Sequence, residues 1–179
     1  MENIDDKNYE TISPTAIVTS YPRTFTDIPY EKEIYNWLNK NCKEEVTLNK
    51  MLAPELEARY KLTNIILNKL NISQVLELAS GYTSRGLIYS KKGYNYIEMD
   101  LENVSKNKIK ILKSINNSIP DNLHIISGNA LRKNNFDKCK KYLKVSEPVA
   151  VINEGLLRYL TFEEKRIVAQ NVYNLLSEF

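Results

Sequence analysis

Val75-Leu-Glu-Leu-Ala-Ser-Gly-Tyr-Thr-Ser-Arg-Gly86 decides the fold. A short β-type run, residues 75–79, stops at Ser80-Gly81, and residues 84–90 then take up helical spacing. A strand, a tight glycine turn and a helix open a βαβ unit. The alternation continues downstream. Residues 95–99 read as a second strand closed by Asp100, and residues 103–115 fit a helix. Leu123-His-Ile-Ile126 is a third strand, followed by a helix over 131–143. Val149-Ala-Val-Ile152 is a fourth, continuous and apolar as a strand covered on both faces should be. Thr161-Phe-Glu-Glu164 is a capping box that starts a last helix running towards Ser177. Strands alternating with helices at this spacing predict a parallel α/β sheet with right-handed crossovers.

Upstream the pattern is helical. A helix begins near Ile12-Ser-Pro-Thr-Ala-Ile-Val, residues 24–29 form a turn, and Ile34, Tyr35 and Leu38 mark a helix over 30–38. Leu56, Tyr60, Thr63, Ile66, Leu67 and Leu70 mark a long helix over 55–70, stopped at Asn71. The expected organisation is a helical cap over residues 1–70, packed on a Rossmann-like core over 71–179 as effectively one domain.

A chain of 179 residues can bury one real core but not two ordinary ones. The net charge of +3 implies no strong electrostatic partner, so neither nucleic acid nor an acidic surface is expected. The basic run from Arg132 to Lys144 reads as the solvated face of a helix whose Phe136, Cys139 and Leu143 turn to the core. Cys42 and Cys139 have no metal-ligand spacing, and His124 is the single histidine, which excludes a histidine-cluster metal centre; no metal is expected. No stretch is apolar and long enough to span a bilayer, and Met1 to Glu10 has no signal-peptide character. A cytoplasmic location without membrane contact is the expectation.

In an open α/β sheet, ligands sit at the carboxyl ends of the strands. Those ends carry Glu77 and Gly81, then Asp100, then Asn129-Ala130, then Glu154. Gly81 permits a tight turn and close approach of a ligand. Asp100, at the end of the next strand, can accept both hydroxyls of an adenosine ribose. A dinucleotide site calls for G-x-G-x-x-G to cradle a pyrophosphate, but Ala79, Gly81 and Ser84 stand here. S-adenosylmethionine has no phosphate, and its sulfonium and ammonium favour nearby carboxylates such as Glu77 and Glu154. The loop therefore favours S-adenosylmethionine over NAD.

Three stretches, Glu77-Leu-Ala-Ser-Gly-Tyr-Thr-Ser-Arg-Gly86, Tyr96-Ile-Glu-Met-Asp100 and Val151-Ile-Asn-Glu-Gly-Leu-Leu-Arg-Tyr-Leu160, together resemble the leucine carboxyl methyltransferase-like family of class I methyltransferases. Ser13-Pro-Thr-Ala16 and Tyr21-Pro-Arg23 are similar to its amino-terminal segment. The resemblance implies that Arg59 grips the cofactor carboxylate, Gly81 lies against the methionine part and Asp100 holds the ribose. It places Asn129 and Ala130 beside the adenine and Glu154 near the sulfonium and amino group. A lysine that some members carry near Ser13-Pro-Thr-Ala16 is missing, which loads more of the carboxylate grip onto Arg59. The family's sheet has seven strands, so the last strands are expected to be missing here and the fourth strand to form an open apolar edge. A homodimer or a separately encoded C-terminal half would cover that edge.

The expected activity is O-methylation of a small molecule or a carboxylate acceptor with S-adenosylmethionine as cofactor; the catalytic residues are not identifiable. Two alternatives stay open: a truncated or split cofactor-binding half without activity alone, and an NAD-dependent dehydrogenase. Five of these site residues also have a structural reading. Glu77 could bind loop amides, Asp100 could cap the following helix, Asn129 and Glu154 could belong to turns, and Arg59 could be a surface charge.

Overall fold

The computed structural model describes residues 14–42 and 47–179. Met1 to Glu10, and the Ile12 and Ser13 of the amino-terminal motif, lie outside the described residues. The first helix, α1, is Pro14–Arg23, and α2 is Glu31–Asn41. A 3-10 turn, Lys50–Leu52, leads into α3, Ala53–Lys69, with Pro54 in its first turn where a missing N–H costs nothing.

The alternating part follows as β1 Gln74–Leu78, α4 Arg85–Lys91, β2 Asn95–Asp100, α5 Glu102–Asn116, β3 Leu123–Ser127, α6 Lys133–Lys140 and β4 Val149–Asn153. A second 3-10 turn, Leu156–Tyr159, precedes α7, Phe162–Leu176. The sheet is parallel throughout, with order β3-β2-β1-β4. Leu76 of β1 pairs with Ile97 of β2 on one side and with Val151 of β4 on the other. Strand order reverses beside β1, which opens a crevice above the strand ends there. This is a Rossmann-like arrangement. Among the described residues, β4 pairs on one side only.

Alternation along the strands builds two cores. Leu76, Leu78, Ile97 and Met99 face α6 and α7, packing with Phe136, Cys139, Val168 and Leu175. Val75, Tyr96, Ala150 and Ile152 face the other way, against Leu67 of α3, Leu87 and Tyr89 of α4 and Leu112 of α5. A third cluster seats α1 and α2 on the sheet's upper rim: Ile17, Ile34 and Leu38 pack with Tyr82, Val104 and Ile111. That cluster fixes α1 above the Gly81 loop, with Ala16 as its nearest neighbour there.

Most boundaries lie one to three residues from the sequence reading, as α2 and α3 show, and two of the shifts have a clear local cause. β1 ends at Leu78, because Ala79 already adopts a left-handed φ of 51° while its N–H still bonds Met99 O at 2.8 Å. The helix expected over 131–143 is shorter, Lys133–Lys140. Asn129 Oδ1 accepts the Leu131 N–H at 2.9 Å and Arg132 is extended, so a side-chain turn displaces the first helical turn. Phe136, Cys139 and Leu143 are buried as the apolar spacing predicts.

Candidate functional site

The crevice beside β1 holds a cavity of about 340 Å³, at the lower end of the range for small-molecule sites. Its floor comes from the strand ends, its sides from the loops after β3 and β4, and its roof from α1 and α3. All seven residues singled out from the sequence line it: Arg59, Glu77, Gly81, Asp100, Asn129, Ala130 and Glu154.

Gly81 has φ 54°, a conformation that glycine adopts without strain. Its N–H donates to Asp100 Oδ2 at 2.6 Å, and the Leu101 N–H donates to Oδ1 at 2.7 Å. Asp100 thus both ties two backbone turns and lines the cavity. Burial pushes its carboxyl above the ordinary value, and the two N–H donors pull it back. Each oxygen keeps lone-pair capacity beyond its one donor. Asn129 Oδ1 accepts the Leu131 N–H at 2.9 Å and keeps a second lone pair, so the side chain can both donate and accept, as the sequence reading left open.

Glu77 is buried in the middle of an apolar strand, 2% exposed. A carboxylate there is tolerable only with strong partners. The partners are the Arg85 guanidinium through Nη1 and the Tyr96 hydroxyl, which donates to Oε2 at 2.7 Å. Burial holds the Tyr96 phenol well above its ordinary pKa, so it stays a neutral donor. Loop amides, the structural partners considered for Glu77, are not what satisfies it.

Arg85 is the residue the sequence reading missed. It is fully buried, stacks over the Tyr60 ring at 4.5 Å, donates Nε to Asn64 at 3.0 Å and binds Glu154 Oε2 through Nη2 at 2.6 Å. Burial works against its charge, but the Glu77 and Glu154 carboxylates outweigh it and raise its pKa. The signal was present in the sequence: an acid inside an apolar strand demands a cation, and Arg85 opens the next helix.

Glu154 follows β4 and takes Arg85 on one oxygen and Arg59 Nη2, 3.5 Å away, on the other. Arg59 also reaches Glu55 at 3.4 Å. Both contacts are long, so this guanidinium is loosely held beside a wall of carboxylates. Gly155 makes room for it: φ is 88°, and a Cβ there would lie 3.0 Å from Arg59 Nη2.

His124 stands on β3 with its ring stacked on Tyr142 at 4.1 Å, away from the cavity residues, and burial lowers its pKa. Among the described residues, no group of three or more His, Cys, Asp or Glu side chains is gathered to hold a metal. No described helix is long and apolar enough to cross a membrane.

No curated protein matches the chain at a significant level. The model of one family does, over residues 33–173, a span that takes in α3, the whole sheet and most of α7. With that match covering well over half of its length, and with a Rossmann-like sheet presenting the cavity at its strand ends, the chain belongs to the leucine carboxyl methyltransferase family.

Proposed function

We propose that the chain binds S-adenosylmethionine in this cavity and methylates an oxygen, on a small molecule or a carboxylate. The observation that carries the reading is the convergence of Arg59, Glu77, Gly81, Asp100, Asn129, Ala130 and Glu154 on one cavity. The donor set fits a zwitterionic, phosphate-free ligand. Arg59 suits a carboxylate, Glu154 and Glu77 suit an ammonium and a sulfonium, and Asp100 suits ribose hydroxyls. Asn129 and Ala130 suit the edge of an adenine. When bound, S-adenosylmethionine supplies an electrophilic methyl carbon on a cationic sulfur.

The protein's own part is alignment and exclusion of water. Leu56, Leu101, Val104, Leu131 and Leu160 give the cavity apolar walls. The ion-paired Glu77–Arg85–Glu154 chain fixes the carboxylates in place. No histidine, lysine or cysteine is found among the described lining residues. A carboxylate acceptor has no proton to lose and needs no general base, so it asks least of this lining.

Calorimetric titration with S-adenosylhomocysteine and with NAD tests the reading. Binding of the first, weakened by Asp100→Ala, with no binding of NAD, is the expected result. A folded chain that binds NAD alone, or neither, overturns it.

A further inference from the structure

Helix α3 is apolar on two opposite faces. Leu56, Tyr60 and Leu67 are buried against the rest of the protein. One flank is occupied as well: Asn64 Oδ1 accepts from Arg85 Nε at 3.0 Å, and Asn68 Oδ1 accepts from the Tyr89 hydroxyl at 2.8 Å, both partners on α4. The outer face still carries Leu62, Ile66 and Leu70, which recur every fourth residue, with Ile65 beside them. They are 58%, 54%, 43% and 50% exposed respectively. A surface helix ordinarily turns charged and polar residues to that side, and one that is apolar there too is covered there too. A contiguous apolar stripe, unlike single exposed residues, marks a contact surface.

The charges at the ends of the stripe say what covers it. Glu55 stands two turns before Leu62, Lys69 stands two turns after it, and both are exposed. The stripe therefore runs from an acid, through an apolar centre, to a base. Two such stripes laid antiparallel about a two-fold axis at Leu62 set Glu55 of each copy against Lys69 of the other. The same axis sets Ala58 opposite Ile66, a small side chain against a large one. A parallel pair would set Glu55 against Glu55 and Lys69 against Lys69, and like charges repel. An isologous contact requires one surface to complement itself, and the antiparallel arrangement meets that requirement in both charge and size. The 17 residues of α3 span about 26 Å, enough for the whole stripe to engage.

We propose that α3 is the contact of a symmetric homodimer, packed antiparallel on α3 of a second copy of this chain about an axis at Leu62. The sequence reading would place a dimer at the open edge of β4; the self-complementary stripe lies on α3 instead. The contact does not depend on what the cavity binds.

Sedimentation velocity on the full chain tests it, with oligomeric state as the readout. The unaltered chain should sediment with twice its mass of 20.8 kDa. Leu62→Glu, which sets two carboxylates face to face at the axis, should give a monomer with unchanged far-ultraviolet circular dichroism. If that variant does not fold, exchange of the end charges carries the test. Glu55→Lys and Lys69→Glu should each raise the dimer dissociation constant about three- to tenfold, and the two together should return it to within about twofold of the unaltered chain. A monomer at the highest attainable concentration overturns the proposal. A dimer that Leu62→Glu leaves intact also overturns it and moves the contact elsewhere, as to the open edge of β4. A double exchange that recovers nothing overturns it as well, because Glu55 and Lys69 then do not face each other.

Discussion

Arg85 Nη2 lies 2.6 Å from Glu154 Oε2, and the same guanidinium binds Glu77, so one buried side chain on α4 joins the ends of β1 and β4. Removing a partner from a buried ion cluster strands the charge that remains. Arg85→Gln should destabilise the protein by about 3–5 kcal/mol in a urea titration. Glu77→Gln introduced alongside it should recover part of that loss, because the stranded carboxylate is then gone. Strict additivity of the two substitutions would show that the pair is not coupled.

Gly155→Ala probes the hold on Arg59. A left-handed φ of 88° is unfavourable for alanine, by about 1–2 kcal/mol. The new Cβ would also press on Arg59 Nη2, the end of a flexible side chain that can swing aside. We expect a modest drop in melting temperature together with weaker S-adenosylhomocysteine binding. A drop in stability with affinity untouched would mean that Arg59 does not need its place beside Glu154.

The sequence was legible where periodicity and chemistry coincide. All four strands, and Gly81, Asp100 and Glu154 at or just beyond their ends, follow from local pattern, whereas Glu77 and Glu98 are buried inside β1 and β2 and break it. The capping box was legible because both of its partners lie within four residues. What escaped depends on contacts far apart in the chain. Arg85 reaches back 8 residues to Glu77 and forward 69 to Glu154. The ion pair of the buried Arg23 on α1 with Glu31 on α2, 2.8 Å long, depends on where α1 docks, which the cluster of Ile17, Ile34, Tyr82 and Val104 decides. The shortened α6 was misjudged because apolar spacing outlasts the helix: Leu143 is buried beyond its end.

Thr161→Ala tests how much α7 relies on its start. Thr161 Oγ1 accepts the Glu164 N–H at 3.3 Å, and Glu164 Oε2 accepts the Thr161 N–H at 2.7 Å. Losing the cap should cost about 1 kcal/mol. The loss should appear as global destabilisation, since Val168 and Leu175 of this helix belong to the core under β1. Glu164→Gln keeps the reciprocal bond and should be nearly silent by the same denaturation measurement.

Glu98 gives the protein a stability term that varies with pH. Its carboxylate is buried under α4, so closely that a Cβ on Gly86 would overlap Oε1. Burial pushes its pKa up to about 7, against the pull of Lys108, whose Nζ lies 2.7 Å from Oε2. Folding therefore raises the pKa of this acid from its ordinary 4.5, and the native state holds the proton more tightly than the unfolded chain. The stability that this proton contributes is complete below pH 4.5 and is lost as pH rises through 7. Glu98→Gln removes the titration and mimics the protonated acid beside Lys108, so the two proteins should be closest in stability near pH 4.5. The melting temperature of the unaltered chain minus that of Glu98→Gln should then fall as pH rises from 4.5 to 7. A difference that stays flat or rises over that window would place the Glu98 pKa at or below its ordinary value and make Lys108, not burial, the dominant influence on it.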